Sequence, residues 1–440
     1  MQITYNYENT EENGVDSKAN DNVYGGIITK EYNPVVLKTT REIFAPVMCD
    51  FIGWVLLCAK AAGLKRLYFL ARDGWIMYNL AKVIARKNSL DIELKYLYCS
   101  RLSLRNAALG DLGEEAYGYL LEGGFTLTPK IILSRLQLNN DERNKVYTDI
   151  GFNDDENTEM GKSAAAEFRA RLKKSLVYNE FIKSVSKDCK SNAVGYLKQE
   201  GLLDDVAYGI ADSGWTGSMQ KTLTVLTGKK QIGYYFGLYA KPDKSYGEYN
   251  AFLFDKSSSP LLVSRFNNNL FETLCSAPHG MTISYRKENG AFIPVLKEDN
   301  SFNPFRLNEN ILITQQNEIM RYAEREYVIQ KDISDIKTRQ QHIFPLLDKL
   351  MYRPDIEAVQ TYGGLRFSDD PSELYSFPLA SKIEDSKRMY LIPRLAEKLL
   401  HKGNIKQPIY WGYGTAVLNG KGRFCRANLR LWEILWLMKR

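Results

Sequence analysis

One pattern occurs twice in this chain and limits the folds that it can adopt: a short apolar run, a polar loop, and then a helical pattern. The first copy has the apolar residues 67–71 (LYFLA) and the loop 72–74 (RDG). The second has residues 206–211 (VAYGIA) and the loop 212–218 (DSGWTGS). Such alternation is typical of a parallel sheet whose strands are connected by helices.

Two further apolar runs, residues 94–99 (LKYLYC) and 232–239 (IGYYFGLY), extend the pattern to four predicted strands. We therefore predict an α/β fold, a mostly parallel sheet with helices on both faces. Ligands of such sheets bind at the carboxyl ends of the strands. Both polar loops are predicted to lie at that edge.

At 440 residues the chain exceeds the size of one typical hydrophobic core. Residues 1–24 are polar and lack periodicity, which predicts a mobile arm. We predict a catalytic α/β domain over 25–290 with a helical insertion at about 104–200, and a smaller helical region over 291–440, a candidate for acceptor or membrane contact.

The composition, 44% hydrophobic and 25% charged, is typical of a soluble globular protein. A net charge of +7 is too small for a dedicated nucleic-acid binder but suits anionic ligands or an anionic membrane. No signal peptide and no CxxC pair are evident, so we expect a cytoplasmic chain with reduced cysteines. The apolar stretch 43–62 contains Asp50, which favours a buried helix over a membrane span.

The loop 212–218 has the composition of a phosphate-binding turn. Gly214 and Gly217 permit backbone angles that turn several N–H groups towards one anion, and a helix N-terminus follows. Hydroxyl donors come from Ser213, Thr216 and Ser218. The alternative is a plain tight turn with Ser218 as the N-cap of the helix.

Four charged side chains near the predicted strand ends suit a phosphorylated sugar. Arg72 and Arg101 could each hold a phosphate, while Asp73 could orient Mg²⁺ or accept a hydroxyl proton. Asp212 could accept hydrogen bonds from a ribose diol or hold a metal ion. The alternatives are structural: an ion pair between Arg72 and Asp73, and a turn capped by Asp212.

A fourth segment, residues 271–280 (FETLCSAPHG), joins a carboxylate to a turn of small residues and a histidine. Glu272 could act as a base on an acceptor, and His279 could contact a phosphate. The alternative is that Glu272 is a solvated helix residue.

Taken in order, the segments FLARDG, YCSR, ADSGWTGSMQ and FETLCSAPHG resemble the phosphoribosyltransferase half of dual-domain bacterial ribofuranosyltransferases. Those enzymes build ribofuranose into surface polysaccharides. The resemblance spans roughly residues 25–285, with weaker similarity around Trp411. The chain departs from ordinary phosphoribosyltransferases at Ser213, where they carry a second acidic residue, and at Trp215 within the phosphate loop.

The resemblance implies transfer of 5-phosphoribosyl from phosphoribosyl pyrophosphate (PRPP) to a sugar hydroxyl of a capsule or O-antigen, with release of pyrophosphate. It implies Mg²⁺ as cofactor, with Asp73 as metal ligand or base, Glu272 as the second choice of base, and Asp212 as a further catalytic residue. The implied substrate-binding residues are Arg72, Gly74, Arg101, Ser213, Gly214, Trp215, Thr216, Gly217, Ser218 and His279.

Members of that family usually carry a phosphatase half of the haloacid dehalogenase type. This sequence has no DxDxT-like pair of aspartates after a strand, so we expect a separate phosphatase partner. The expected acceptor is lipid-linked. The alternatives are a glycosyltransferase that uses nucleotide sugars and a non-catalytic partner in polysaccharide assembly.

The final segment, residues 423–440, predicts a helix with a basic face and an aromatic-rich face. The basic face has Arg423, Arg426 and Arg430. The aromatic-rich face has Trp432, Leu435 and Trp436. Two interpretations stay open: peripheral contact with the inner face of the plasma membrane, or docking on the protein's own core.

Overall fold

A five-stranded, all-parallel sheet organises the fold of the computed structural model. The structure describes residues 33–121, 127–297, 304–329, 335–383, 389–390 and 408–439, so the predicted arm 1–24 lies outside it. The strands are β1 Arg66–Leu70, β2 Glu93–Leu97, β3 Tyr208–Trp215, β4 Gln231–Leu238 and β5 Gly247–Phe254. Their order across the sheet is β2-β1-β3-β4-β5. The chain therefore reverses its direction of travel between β1 and β3.

Helices cover both faces of the sheet, as the sequence predicts. The helices up to β4 are α1 Pro34–Thr39, α2 Ala45–Ala61, α3 Gly74–Lys87, α4 Arg101–Leu112, α5 Glu115–Leu121, α6 Pro129–Ser134, α7 Asn140–Asp149, α8 Lys162–Lys174, α9 Leu176–Gln199 and α10 Ser218–Thr227. Along β1, Leu67 and Phe69 join the core beneath α2 and α3, whereas Tyr68 and Leu70 join the core beneath α4 and α9. Alternate side chains of one strand thus enter two cores, because successive strand residues point to opposite faces.

Most of the predicted strand bounds hold to within one or two residues, but β3 is longer than expected. It runs to Trp215, and Asp212 pairs with Tyr235 of β4 inside the sheet. The predicted loop 212–218 is therefore corrected to two residues, Thr216 and Gly217, between β3 and α10. The sequence analysis also missed β5, whose residues do not repeat the apolar run of the other strands.

The predicted helical insertion is confirmed, since the described residues between β2 and β3 form α4 to α9. The helices after β5 are α11 Pro260–Val263, α12 Asn268–Leu274, α13 Pro304–Leu307, α14 Glu309–Arg325, α15 Ile336–Leu347, α16 Ile356–Tyr362, α17 Gly412–Leu418 and α18 Arg423–Lys439. The short antiparallel strands are β6 Thr282–Glu288, β7 Ala291–Leu296, β8 Arg366–Phe367 and β9 Phe377–Pro378. Residues of the C-terminal region, such as Phe344 and Trp411, pack in the same core as α2 and β1, within one compact unit.

One helical stretch, Pro34–Ala61, is long and apolar enough to cross a membrane by length and composition alone. It includes a π-helical turn, Thr40–Phe44. Of its most apolar segment of 18 residues, 67% is buried inside the protein. Burial raises the pKa of Asp50 in this stretch to about 6, while a hydrogen bond with the Tyr327 side chain opposes the rise. This packing agrees with the prediction that residues 43–62 form a buried helix.

Candidate functional site

A cavity of about 910 Å³ opens at the carboxyl ends of the strands, where the strand order reverses. The residues after β1, Arg72 and Asp73, and those after β3, Thr216 and Gly217, both line it. Ligands of open α/β sheets bind at such a switch point because the loops of the two strands diverge there and leave a crevice. The two polar loops singled out in the sequence therefore share one site.

Three partly buried carboxyl groups, Asp73, Asp212 and Glu272, come together in this cavity. Asp73 is the N-cap residue of α3, but its side chain makes no capping bond and instead accepts a hydrogen bond from the Ser213 hydroxyl. Glu272, on α12, accepts a hydrogen bond from the indole N–H of Trp215. The sequence-predicted alternative of a solvated Glu272 is wrong, because the side chain is directed into the site.

The three carboxyl groups hold protons more tightly than isolated ones. Burial and the neighbouring Asp73 carboxylate raise the pKa of Asp212 to about 8. Burial and Asp73 also raise the pKa of Glu272 to about 7, although Arg101 opposes the rise. Burial raises the pKa of Asp73 too, against the Ser213 hydroxyl and Arg72. Groups that titrate near neutrality suit acid–base catalysis.

The end of β3 and its connection to α10 contain three residues with positive φ, a feature of turns that approach a ligand closely. Gly214, Trp215 and Gly217 have φ of 106°, 75° and 68°, and the last is the N-cap of α10 without any side-chain cap. The alternative of Ser218 as N-cap is therefore wrong, because Ser218 is already the first helical residue. The first N–H groups of α10 are left without a side-chain acceptor and can bind an anion.

Arg72 lies at the end of β1, after a cis peptide bond to Ala71, and is paired in an unexpected way. One Nη of its guanidinium donates to Glu373 of the C-terminal region rather than to Asp73. Its other Nη is buried without a hydrogen-bond partner. A ligand phosphate would satisfy that nitrogen.

A second group of donors lies on α4 and α5 beside Arg72. Arg101 and Arg105 are one helical turn apart and both line the cavity. Neither has a carboxylate within ion-pair distance in the described part of the chain. Burial lowers the pKa of Arg105 to about 10, and its guanidinium lies 4.7 Å from the ring centre of Tyr119, whose buried hydroxyl also lacks a partner. The guanidinium groups of Arg72, Arg101 and Arg105 thus line the same cavity.

Two of the predicted site residues are not brought to the cavity. Gly74 is buried at the start of α3, where a Cβ would lie 2.8 Å from the backbone of Phe69, so it serves packing. His279 lies among aromatic rings, with Nδ1 2.8 Å from the Gly280 carbonyl oxygen and Nε2 2.7 Å from the Tyr96 hydroxyl. Because a carbonyl can only accept, Nδ1 carries the proton and Nε2 accepts. Burial lowers the pKa of His279 to about 4, so it is a neutral structural residue.

Sequence reasoning missed several residues that line the site. Arg105 was identifiable in principle, since it follows Arg101 at helical spacing. One wall of the cavity is formed by residues of the C-terminal region, and we call it the C-terminal wall. The sequence carried no signal for it, because its residues come from separate segments far along the chain. They include Asp369, Asp370, Glu373, Tyr410, Trp432, Glu433 and Trp436.

The cavity lining is richer in carboxyl groups than in cations. Among the described lining residues, seven are acidic and three are arginines. The arginines gather near β1 and α4, so a polyanion would bind at that end, and its remaining charge would require a cation. The donor chemistry fits Mg²⁺, which takes oxygen ligands from one or two carboxylates and from substrate phosphates. Asp73 is the side chain that would hold it; the described residues contain no three-ligand cluster of His, Cys, Asp and Glu.

No protein-family model matches the sequence, and no curated protein matches it. Function must therefore be argued from the site itself.

Proposed function

We propose that this cavity binds PRPP and that the chain transfers the 5-phosphoribosyl group to a sugar hydroxyl of a surface polysaccharide, with release of pyrophosphate. The observation that carries the proposal is the meeting of two anion-binding ends and a carboxyl cluster in one cavity. PRPP has the matching layout: a phosphate, a ribose with hydroxyls, and a pyrophosphate.

The pyrophosphate is assigned to the end formed by Arg72, Arg101 and Arg105. Unpaired guanidinium N–H groups match phosphate oxygens in geometry and charge. The 5-phosphate is assigned to Thr216, Gly217 and the N-terminus of α10, where backbone N–H groups are available. The two ends flank the carboxyl groups, so the ribose would lie over Asp73 and Asp212.

The reaction we propose is a displacement at the anomeric carbon. The bond from C1 to the pyrophosphate oxygen breaks, its electron pair leaves with pyrophosphate, and the acceptor oxygen forms the new bond to C1. Glu272 takes the acceptor proton, since a carboxylate whose pKa is about 7 combines basicity with a useful ionised fraction. Arg72 and Arg101 stabilise the departing charge, and the carboxylates stabilise positive charge on the ribose. Mg²⁺, when bound, supplies further charge neutralisation to the pyrophosphate.

The first experiment is calorimetric titration of the full chain with PRPP and Mg²⁺, compared with ribose 5-phosphate and with several nucleotide sugars. We expect PRPP to bind more tightly than ribose 5-phosphate, and only in the presence of the metal. Preferential binding of a nucleotide sugar would instead support the nucleotide-sugar glycosyltransferase. Absence of binding by every donor would support a non-catalytic assembly partner.

The second experiment is mass spectrometry of a glycan acceptor after incubation with PRPP. The expected added mass is that of phosphoribose, because this sequence shows no DxDxT-like pair of aspartates after a strand. Addition of bare ribose by the purified chain would contradict this.

Substitution of Glu272 tests the proposed base. Glu272→Gln keeps an acceptor oxygen for the Trp215 indole but removes the proton acceptor, so turnover should fall by about 10²–10⁴-fold while PRPP still binds. In the native chain, turnover should rise with pH through about 7 as Glu272 ionises. The control is Glu433→Gln, which neutralises a carboxyl group of the same cavity on α18 and should change turnover much less. Equal losses in both variants would exclude a specific role for Glu272.

A further inference from the structure

The last helix, α18, carries a stripe of exposed apolar side chains on the face away from the core. Phe424, Leu431, Leu435 and Met438 recur at intervals of seven, four and three residues. At 3.6 residues per turn they fall within about 60° of one another around the helix. Their exposed fractions are 75%, 45%, 38% and 67%. An apolar stripe of this length is unusual on a helix that faces only water.

The opposite face of α18 is committed to the protein. Cys425 and Leu429 are buried in the main core, and Trp432, Glu433 and Trp436 line the cavity. The sequence analysis placed Trp432 and Trp436 together with Leu435 on one face, and the structure separates them. The face that carries Cys425 and Leu429 docks on the protein's own core, as one interpretation predicted. The exposed face is still available for the other interpretation, contact with a membrane.

Positive charge flanks the apolar stripe. A groove of about 650 Å³ between α18, α11 and Tyr352 is lined by Arg353, Arg423, Arg426 and Arg430, and none of the described residues that line it is acidic. The nearby carboxylate of Asp348 is paired with Arg265 at 2.5 Å. The only acidic residue of α18, Glu433, faces the cavity instead.

We propose that this surface, the α18 stripe with its arginine groove, docks on an anionic lipid bilayer. A helix whose apolar ridge is bordered by arginines matches a bilayer surface, where acyl chains accept the ridge and anionic headgroups accept the guanidinium groups. Leu261 of α11, 55% exposed beside the groove, adds to the apolar contact. Because one helix carries both the stripe and part of the cavity wall, docking brings the cavity close to the lipid surface. The proposal rests on α18 itself and does not depend on the proposed reaction.

The test is co-sedimentation of the full chain with vesicles of phosphatidylglycerol and phosphatidylcholine, compared with vesicles of phosphatidylcholine alone. We expect at least about tenfold stronger binding to the anionic vesicles, and salt should weaken it. The double variant Phe424→Ser/Met438→Ser should lose about tenfold or more of that affinity. Arg423→Gln/Arg426→Gln should lose about fivefold per charge removed.

The matched control is Leu176→Ser/Val328→Ser, which removes two equally exposed apolar side chains elsewhere, 77% and 73% exposed, and should bind vesicles as the native chain does. Calorimetric titration with PRPP should give the same result for the Phe424→Ser/Met438→Ser variant and the native chain, which separates this proposal from the proposed reaction. Failure of the native chain to bind anionic vesicles would overturn the proposal. So would a native dimer, detected by sedimentation velocity, that the Phe424→Ser/Met438→Ser variant dissociates, because the stripe would then hold a second copy.

Discussion

At the residue scale, the site is governed by the proximity of Asp73, Asp212 and Glu272. Burial raises the pKa of all three, Asp73 further raises those of Asp212 and Glu272, and Glu272 adds to the rise at Asp212, so at neutral pH the cluster retains protons that isolated carboxyl groups would release. A cluster in this state can donate hydrogen bonds to a sugar as well as accept them. Its charge also depends on the ligand, because a bound cation would drive off these protons.

Asp212 gives the cluster a measurable pH dependence. The folded chain holds a proton on Asp212 up to about pH 8, whereas the unfolded chain releases it near pH 4. This contribution to the free energy of unfolding is therefore complete below about pH 4 and is lost as the pH rises towards 8, by at most about 1.4 kcal/mol per pH unit for each group. Calorimetric melting between pH 5 and 8.5 should show a falling Tm for the native chain.

Asp212→Asn should flatten that dependence, because the amide has no proton to lose. The control is Asp348→Asn, which removes a half-buried carboxyl group outside the cavity and should leave the fall in Tm above pH 6 unchanged. Parallel curves for Asp212→Asn and the native chain would show that Asp212 ionises normally.

At the scale of elements, the sequence predicts the strands whose apolar runs are short and bounded by polar residues. It identified β1, β2 and β4 to within two residues; β1 and β4 are buried on both faces, which leaves an apolar run. The predicted end of β3 was wrong. Asp212 and Ser213 are polar residues of the kind found in loops, yet β3 continues through them to Trp215 and pairs with β4. A polar side chain inside a strand is tolerated here because the ligand cavity begins at that point.

The two ends of α10 offer a matched pair of glycines for testing the phosphate-binding turn. Gly217 and Gly228 have φ of 68° and 70°, so Gly→Ala at either should destabilise the fold by about 1–2 kcal/mol. At Gly228 a Cβ meets nothing within 4 Å, whereas at Gly217 it lies 2.6 Å from the ring of Tyr249. Only Gly217 borders the cavity.

We therefore expect Gly217→Ala to weaken PRPP binding by about tenfold or more, because the backbone N–H groups of the turn shift away from the 5-phosphate. Gly228→Ala should leave the affinity unchanged. Calorimetry and urea denaturation of both variants separate affinity from stability. Similar affinities in the two variants would place the 5-phosphate elsewhere.

At the scale of the whole molecule, the C-terminal region completes the site that the sheet begins. Its residues line the cavity opposite the strand ends, and Glu373 holds Arg72. None of this could be read from the sequence, because pairing between distant segments leaves no local pattern. The sequence identified Arg72 and Asp73 after β1, but it did not identify Glu373, the partner of Arg72 in the folded chain.

The Arg72–Glu373 pair predicts competition between Glu373 and a ligand phosphate. Glu373→Gln should destabilise the ligand-free chain, since Arg72 would be left buried without a charge partner. PRPP with Mg²⁺ should then raise the Tm of the variant by more than it raises that of the native chain, because the ligand replaces the missing charge. Differential scanning calorimetry with and without PRPP measures both effects.

The control is Asp348→Asn, which breaks the ion pair with Arg265, a pair of comparable exposure whose members do not line the cavity. That variant should lose stability without any change in the Tm rise caused by PRPP. If Glu373→Gln responds to PRPP as the native chain does, Arg72 does not bind the ligand.

The separation of Arg72 and Glu373 along the chain, 301 residues, sets an order on biosynthesis. At about 5–20 residues per second, the ribosome produces Glu373 roughly 15–60 s after Arg72. All five sheet strands have been synthesised by Phe254, well before the C-terminal wall exists. A nascent chain therefore has the strand ends of its cavity long before the wall that residues 369–437 form, and we expect the proposed PRPP binding only after that wall has been synthesised.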